Sequence, residues 1–268
     1  MNNIETIFLG IIQGLTEFLP VSSSGHLVVF ENLLGFKEPE LLLDASLHLG
    51  TLLAVCICFR TDLKKMIGET WELATTRPKK DRLRLGTHAS LALMVLVGSV
   101  PTALIGIIFK TPLEELFGSI SKVGVMLVVT GLIVGSTRLI PKARGTVTRV
   151  GPLIALAVGI AQGLAIVPGI SRSGSTIVCA LLCGLDRGLA YRFSFLLSIP
   201  AIVGAVILQL DQEALERVGF VPLSLGFVAS ALVGFLALKL LIGMVEKGHL
   251  YYFAPYCWAV GIIIILFA

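Results

Sequence analysis

One segment of this chain occurs twice, and both copies carry polar residues through hydrophobic surroundings. The first copy covers residues 10–26 and the second covers residues 159–175, at a constant offset of 149 residues. Each copy contains a Gln-Gly-Leu triplet and continues into a proline-containing turn that ends in serines and a glycine. In a membrane protein, an internal duplication of this kind predicts a functional site where the two halves meet.

The composition indicates an all-α polytopic membrane protein. Hydrophobic residues make up 56% of the 268 residues and charged residues only 14%, whereas charged residues are about 25% of a soluble domain. We therefore expect membrane lipid around the chain and no nucleic acid partner. The composition leaves open whether the chain forms a homodimer.

Six apolar stretches are long enough to span a membrane, which requires roughly 20 residues each. The loops at 60–84 and 138–149 carry eight and four Lys or Arg residues. Two spans separate these loops, so both lie on one side of the membrane, and their positive charge predicts that this side is the cytoplasm. The same threading places the N-terminus on the outer face. The predicted spans are residues 41–59, 87–109, 122–140, 189–209, 221–243 and 251–268.

The duplicated segments lie outside those spans. Residues 3–19 would form a helix of about 25 Å, and residues 24–35 one of about 18 Å. Both are short for a hydrocarbon core of about 30 Å, and Pro20 interrupts the helix between them. We therefore predict a re-entrant helix–loop–helix hairpin at 3–35 and a second one at 152–184.

Each hairpin is followed by three spans, and this odd number inverts the second repeat relative to the first. Repeat one covers residues 1–140 and repeat two residues 151–268, within a single integral membrane domain. Non-helical backbone at membrane depth is tolerated only where protein or water satisfies it. The two hairpin tips are accordingly expected to meet near the midplane and to line an enclosed, wet cavity.

Glu17 and Arg172 are the main candidates for a site inside the membrane. Glu17 lies in a segment made mostly of Ile, Leu and Phe, where an ionisable group costs at least about 2.5–3.5 kcal/mol and is usually functional. Arg172 belongs to a Ser-Arg-Ser-Gly sequence at a predicted helix N-terminus. Backbone N–H groups, hydroxyls and a guanidinium at one point favour an anion such as phosphate. The alternatives to a functional role are that Glu17 lies at the membrane interface, or that Arg172 is only its structural counter-ion.

Ser23 and His26 add a hydroxyl and an acid–base group to the first copy. They are three residues apart, so the imidazole can approach the hydroxyl. Gln13 and Gln162 are expected to bond across the contact between the hairpins, with substrate binding by Gln13 as the weaker option. At least one serine of the first turn is expected to cap the next helix, and helix back-bonding is the alternative for Thr176. The further candidates for substrate binding are Ser22, Ser24, Gly25, Ser171, Ser173, Gly174 and Thr176, whereas His48, His88 and His249 are interpreted as structural or interfacial.

Two strings resemble the signature motifs of the undecaprenyl-diphosphatase family, the bacitracin-resistance membrane proteins. They are Gln-Gly-Leu-Thr-Glu-Phe-Leu-Pro-Val-Ser-Ser-Ser-Gly-His-Leu at 13–27 and Pro-Gly-Ile-Ser-Arg-Ser-Gly-Ser-Thr at 168–176. The resemblance implies hydrolysis of undecaprenyl diphosphate, a polyprenyl diphosphate lipid, to the monophosphate, which recycles the carrier of peptidoglycan synthesis in the bacterial plasma membrane. It also implies a divalent cation, Mg²⁺ or Ca²⁺, near Glu17. The first acidic position of the family motif is Gln13 in this chain, which weakens a metal site built from two carboxylates.

The resulting hypothesis is phosphoryl transfer at the contact of the hairpin tips. Arg172 and the turn around it neutralise the diphosphate, while Ser23 attacks with His26 as base and then acid. The alternative keeps Ser23 as a binding group and lets His26 or Glu17 activate water. The cavity is expected to open on the outer face. The rival from another class is a transporter or flippase of an anionic lipid or phosphate-bearing solute, because inverted repeats with broken helices are typical of transporters.

Overall fold

The computed structural model describes residues 2–36, 41–75, 86–109, 119–141, 145, 147–209 and 219–267, and these residues fold into an all-helical structure. Two short 3₁₀ segments, Ser136–Leu139 and Leu250–Phe253, extend neighbouring helices. The α-helices of this part of the chain are α1 (Asn3–Phe18), α2 (Ser23–Leu33), α3 (Leu41–Cys58), α4 (Arg60–Thr75), α5 (Thr87–Ile108), α6 (Ile120–Gly135), α7 (Pro152–Leu164), α8 (Arg172–Leu182), α9 (Arg187–Gln209), α10 (Phe220–Lys247) and α11 (Ala254–Phe267).

The long apolar helices make this a multi-pass membrane protein. Among the described residues, five helices are long and apolar enough to cross a bilayer, namely α5, α6, α9, α10 and α11, with the 3₁₀ segments included. The pair of α3 and α4, which is bent by 76° where the two helices join, gives a sixth candidate span, and α3 is the apolar part of this pair. Each of the six predicted spans falls on one of these helices. The segment expected to be a loop from residue 60 onward begins instead with α4.

Two pairs of helices pack in the same way. Helix α1 lies along α10, and helix α7 lies along α5. Glycines allow both contacts, because a Cβ atom on Gly10 would lie 2.7 Å from the Gly226 carbonyl oxygen, and one on Gly159 would collide with the carbonyl of Gly98. Small residues are the usual means of close helix packing in lipid, where apolar side chains gain nothing by leaving the hydrocarbon. Gly10 and Gly159 are equivalent positions of the duplicated segment.

The largest hydrophobic cluster of the described residues includes residues next to both helix breaks. Phe18, Ile177 and Phe195 are fully buried members of one large cluster, and the ring of Phe18 meets that of Phe195 edge-on with centroids 5.6 Å apart. Phe18 ends α1, and Ile177 lies in α8. The core therefore holds one helix of each hairpin in place and fixes the tips relative to each other.

The helices of both hairpins are interrupted at the positions that the sequence predicts. Helix α1 ends just before Leu19 and Pro20, and α2 begins after the capping residue Ser22. In the second hairpin, Gly169 adopts a φ of 92°, a left-handed conformation that a residue with a side chain rarely takes. Helix α8 then begins after the cap at Ser171. Each hairpin thus presents a capped helix N-terminus at its tip.

Candidate active site

The tips of the two hairpins touch each other through backbone. A Cβ atom added to Gly25 would lie 3.1 Å from Cα of Gly169, and one added to Gly174 would lie 3.2 Å from Cβ of Pro20. Gly25 and Gly174 are equivalent in the duplicated segments, and so are Pro20 and Gly169. The contact of Gly25 with Gly169 in one direction is therefore matched by the contact of Gly174 with Pro20 in the other.

Glu17 and Arg172 form an ion pair across this contact. The guanidinium Nη2 donates to Oε1 of Glu17, and the two side chains are only 17% and 4% exposed. Charges this far from water are tolerated only when they are paired and hydrogen-bonded. The two residues that the sequence singles out in opposite halves are thus direct partners.

The second carboxylate oxygen of Glu17 is also surrounded by polar groups. The Ser23 hydroxyl donates to Oε2 at 2.5 Å, and the Gln13 amide donates to it at 3.0 Å. The imidazole Nε2 of His48 lies 3.8 Å away. The sequence alone does not indicate this contact of His48, but α3 packs beside α1 and brings this ring next to the carboxylate.

His26 is held by two other groups. Its ring Nδ1 lies 2.8 Å from the carbonyl oxygen of Ser22, and its Nε2 lies 2.8 Å from the hydroxyl of Tyr256. A carbonyl oxygen only accepts, so Nδ1 carries the proton, and Nε2 of the neutral ring accepts from the tyrosine. The sequence leads to a pairing of Ser23 with His26, but in this structure the hydroxyl of Ser23 pairs with Glu17. Tyr256 lies 230 residues away in the chain, and nothing in the sequence pattern points to it.

The serines of the two tips make the same local bonds. Ser22 accepts from the backbone N–H of Gly25 at 3.3 Å and shares a hydrogen bond of 3.3 Å with Ser24. In the second tip, the Ser171 hydroxyl accepts from the N–H of Gly174 at 3.1 Å and bonds to the hydroxyl of Ser173 at 3.2 Å. The expected helix cap is therefore Ser22, which is also the only described residue other than glycine with a positive φ, 68°.

Two polar side chains, those of Thr176 and Gln162, face the supporting helices and not the tips. The Thr176 hydroxyl bonds to the carbonyl of Arg172 at 2.8 Å and to the hydroxyl of Ser194 at 2.5 Å, which is the back-bonding alternative to substrate binding. Gln162 donates to the carbonyl of Leu197 at 3.3 Å, and the expected bond to Gln13 is not formed.

Thr130 supports the second tip, although no sequence motif points to it. It donates to the Gly169 carbonyl and accepts from the N–H of Ser171. This residue pins the second tip.

The family model of the bacitracin resistance protein BacA matches residues 6–263. The chain belongs to this family. It is 46% identical over 267 residues to an undecaprenyl-diphosphatase of Desulfatibacillum aliphaticivorans, with 97% of each chain covered. It is 48% identical over 267 residues to the protein of the same name from Desulfosudis oleivorans, again with 97% of each chain covered. A relative of this name from Methanobrevibacter smithii is 39% identical over 272 residues and covers 99% of this chain and 98% of its own.

Two polar atoms of this BacA-family site are buried without a hydrogen-bond partner among the described residues. They are Nη1 of Arg172 and Oε1 of Gln13. A buried donor of a charged group left unpaired costs more than about 1–3 kcal/mol. An anionic oxygen placed between the hairpin tips would satisfy Nη1, and a hydroxyl or a water would satisfy the glutamine.

The donor set at the tips does not form a protein cage for a divalent cation. Among the described residues, Glu17 is the single carboxylate at the contact of the tips, and its oxygens already bind Arg172, Ser23 and Gln13. No group of three or more His, Cys, Asp or Glu side chains among the described residues could hold a metal ion. A cage built from protein alone needs several oxygen ligands, whereas Mg²⁺ is also held by one or two carboxylates together with substrate phosphates. The described residues therefore give the cation implied by the resemblance no protein cage.

Proposed function

We propose that this protein hydrolyses undecaprenyl diphosphate to undecaprenyl phosphate and inorganic phosphate, which returns the lipid carrier to peptidoglycan synthesis and confers bacitracin resistance. The observation that carries the proposal is the grouping of Glu17, Ser23 and Arg172 at one buried point. Membership of a family whose curated members are undecaprenyl-diphosphatases supports the choice of substrate.

The terminal phosphoryl group binds between the two tips. Its oxygens accept from Nη1 of Arg172, which is buried without a protein partner, and from the hydroxyls of Ser24 and Ser173. A guanidinium suits this task because it presents several donors in a fixed plane. Stabilising the charge on the phosphoryl oxygens is the largest part of catalysis in phosphoryl transfer.

Glu17 activates Ser23 in the first step. Since the Ser23 hydroxyl already donates to Oε2 at 2.5 Å, the carboxylate takes the proton as the serine oxygen forms a bond to the terminal phosphorus. The bond from that phosphorus to the bridging oxygen breaks, and undecaprenyl phosphate leaves. Water then attacks the phosphorus of the phosphoserine, the bond from phosphorus to Oγ of Ser23 breaks, Oγ takes back the proton held by Glu17, and inorganic phosphate leaves with the oxygen and protons of the water.

The second version of the reaction keeps Ser23 as a binding group. Glu17 would then deprotonate a water that attacks the terminal phosphorus directly, and the products are the same. His26 takes the place of the base in neither version, because its ring is engaged by Ser22 and Tyr256. It positions the first tip by holding the Ser22 carbonyl.

We further propose that the two halves are inverted repeats whose hairpins re-enter the bilayer and meet near its midplane. The reciprocal contacts support this arrangement, since Gly25 meets Gly169 while Gly174 meets Pro20. The excess of Lys and Arg in the loops at 60–84 and 138–149 supports an outward N-terminus in the plasma membrane. The prenyl tail then leaves sideways into lipid, because a long hydrocarbon gains nothing from entering water.

Phosphate release from undecaprenyl diphosphate by the purified protein in detergent tests the proposal. The wild-type protein should release phosphate, and Arg172→Gln should lose about 10²–10³-fold or more of this activity. Arg192→Gln is the matched control, since this arginine is 49% exposed and pairs with Asp62 at 3.6 Å, and it should retain activity. Full release by Arg172→Gln would overturn the proposal, and movement of the lipid across vesicles without release would make the protein a carrier.

A further inference from the structure

Helix α4 leaves the membrane span α3 at a steep angle. The two helices are bent by 76° where they join, at the end of α3. The 16 residues of α4 make a helix of about 24 Å, which at this bend advances only about 6 Å along the axis of α3. The headgroup layer on each side of the hydrocarbon core is about as thick. If α3 crosses the hydrocarbon core and ends at its edge, α4 therefore stays at the level of the lipid headgroups.

One stripe along α4 combines basic and apolar residues. Arg60, Lys64, Ile67 and Trp71 follow each other at spacings of four, three and four residues, which places them on the same face of a helix. Ile67 is 69% exposed and Trp71 is 70% exposed. Tryptophan beside lysine and arginine is typical of helices that lie in the membrane–water interface.

The opposite side of α4 is bound to the rest of the protein. Glu69 accepts from the backbone N–H groups of His88 and Ala89 at 2.9 Å each and thereby caps α5. Met66 is buried, and Asp62 pairs with Arg192. Asp62 and Glu69 thus bond to neighbouring helices of the protein, whereas Arg60 and Lys64 are exposed. These contacts fix which face of the helix is left open.

We propose that the stripe of Arg60, Lys64, Ile67 and Trp71 docks on the headgroup layer of an acidic phospholipid leaflet. Ile67 and Trp71 enter the boundary between headgroups and acyl chains, and Arg60 and Lys64 bind lipid phosphates. The lipid is the occupant because the bend keeps α4 at headgroup level and because the open face is basic. This surface anchors the junction of α3 and α4, and through Glu69 it also anchors the start of α5.

Tryptophan fluorescence in lipid nanodiscs tests the docking, because the chain has only two tryptophans. The difference between the wild-type protein and Trp71→Phe gives the emission of Trp71, and Trp258→Phe, which leaves Trp71 alone, gives it independently if the first variant misfolds. A doxyl quencher placed near the headgroup end of the acyl chains should reduce the Trp71 emission more than one placed near the methyl end, and aqueous iodide should have little effect. Lys64→Gln should weaken the lipid quenching in bilayers with phosphatidylglycerol, whereas Lys65→Gln, on the opposite side of the helix, should not.

Two results would overturn the proposal. Strong quenching of Trp71 by iodide without quenching by lipid would place the stripe in water. Protection from both quenchers would place it against protein, such as a second copy of the chain. Neither result depends on phosphate release, so the docking proposal and the proposed hydrolysis are tested independently.

Discussion

Substituting Glu17 and Arg172 singly and together separates the stability of the buried ion pair from its catalytic use. Removing one partner leaves the other charge buried with 4% or 17% exposure, and breaking a buried pair in this way costs about 3–5 kcal/mol. Each of Glu17→Gln and Arg172→Met should therefore lower the free energy of unfolding by that amount. The double variant buries no charge at this point and should cost no more than either single variant.

The coupling between the two positions is then large. At the lower end of that range, the two single substitutions together predict a loss of about 6 kcal/mol, whereas the double variant should lose at most about 3 kcal/mol. The coupling energy is therefore at least about 3 kcal/mol. Chemical unfolding in detergent micelles measures this coupling. The control is the exposed pair of Asp62 and Arg192, 3.6 Å apart, for which the same cycle should give less than about 1 kcal/mol.

Activity follows a different pattern in the same variants. The double variant should be folded yet release no phosphate, because both the base and the phosphate-binding cation are gone. Additive destabilisation by Glu17→Gln and Arg172→Met, or a coupling as small as that of the exposed pair, would refute the pairing of the two hairpins through these side chains. Restored activity in the double variant would refute their assigned roles.

Three further substitutions test separate contacts. Gly25→Ala should cost about 1–3 kcal/mol of stability and lower activity, because its Cβ would lie 3.1 Å from Gly169 and push the tips apart; unchanged unfolding and activity would argue against the tip contact. Tyr256→Phe removes the donor to His26 and should cost about 1 kcal/mol with reduced phosphate release; a wild-type result in both assays would show that the ring needs no partner. The N–H group of Ala89, and after it the ring and the N–H group of His88, hold the pKa of Glu69 below its ordinary value of 4.5, so the stabilisation is present above that pH and is lost as the pH falls through the lower pKa of the folded protein. Thermal unfolding should show this loss in the wild-type protein and not in Glu69→Gln, and an equal loss in both would disprove it.

The positions of the hairpins and of their breaks could be predicted from sequence because they depend on local chemistry. Proline cannot continue a helix, and a serine followed by glycine caps the next one. The pairing of Glu17 with Arg172 was also predictable, because an unpaired charge in an apolar segment needs a partner of opposite sign. Both inferences rest on residues within the duplicated segment.

The partners contributed by other helices were not predictable. His48 and Tyr256 approach the site only because α3 and α11 pack where they do, and their neighbours in sequence carry no sign of this. The partner of Ser23 also differs from the expected one. A spacing of three residues permits a contact with His26, but it does not exclude the hydrogen bond that Ser23 makes to Glu17. Helix α4 was missed because its charged residues resemble a loop when they are counted without their helical spacing.

The activation of Ser23 by Glu17 is the central claim, and trapping a phosphorylated protein tests it most directly. Undecaprenyl diphosphate labelled in its terminal phosphate should transfer the label to the protein in an acid-quenched reaction. The label should be found on Ser23 in the wild-type protein and should be absent from Ser23→Ala and from Glu17→Gln. Full phosphate release by Ser23→Ala, with no labelled protein in the wild-type reaction, would contradict the account.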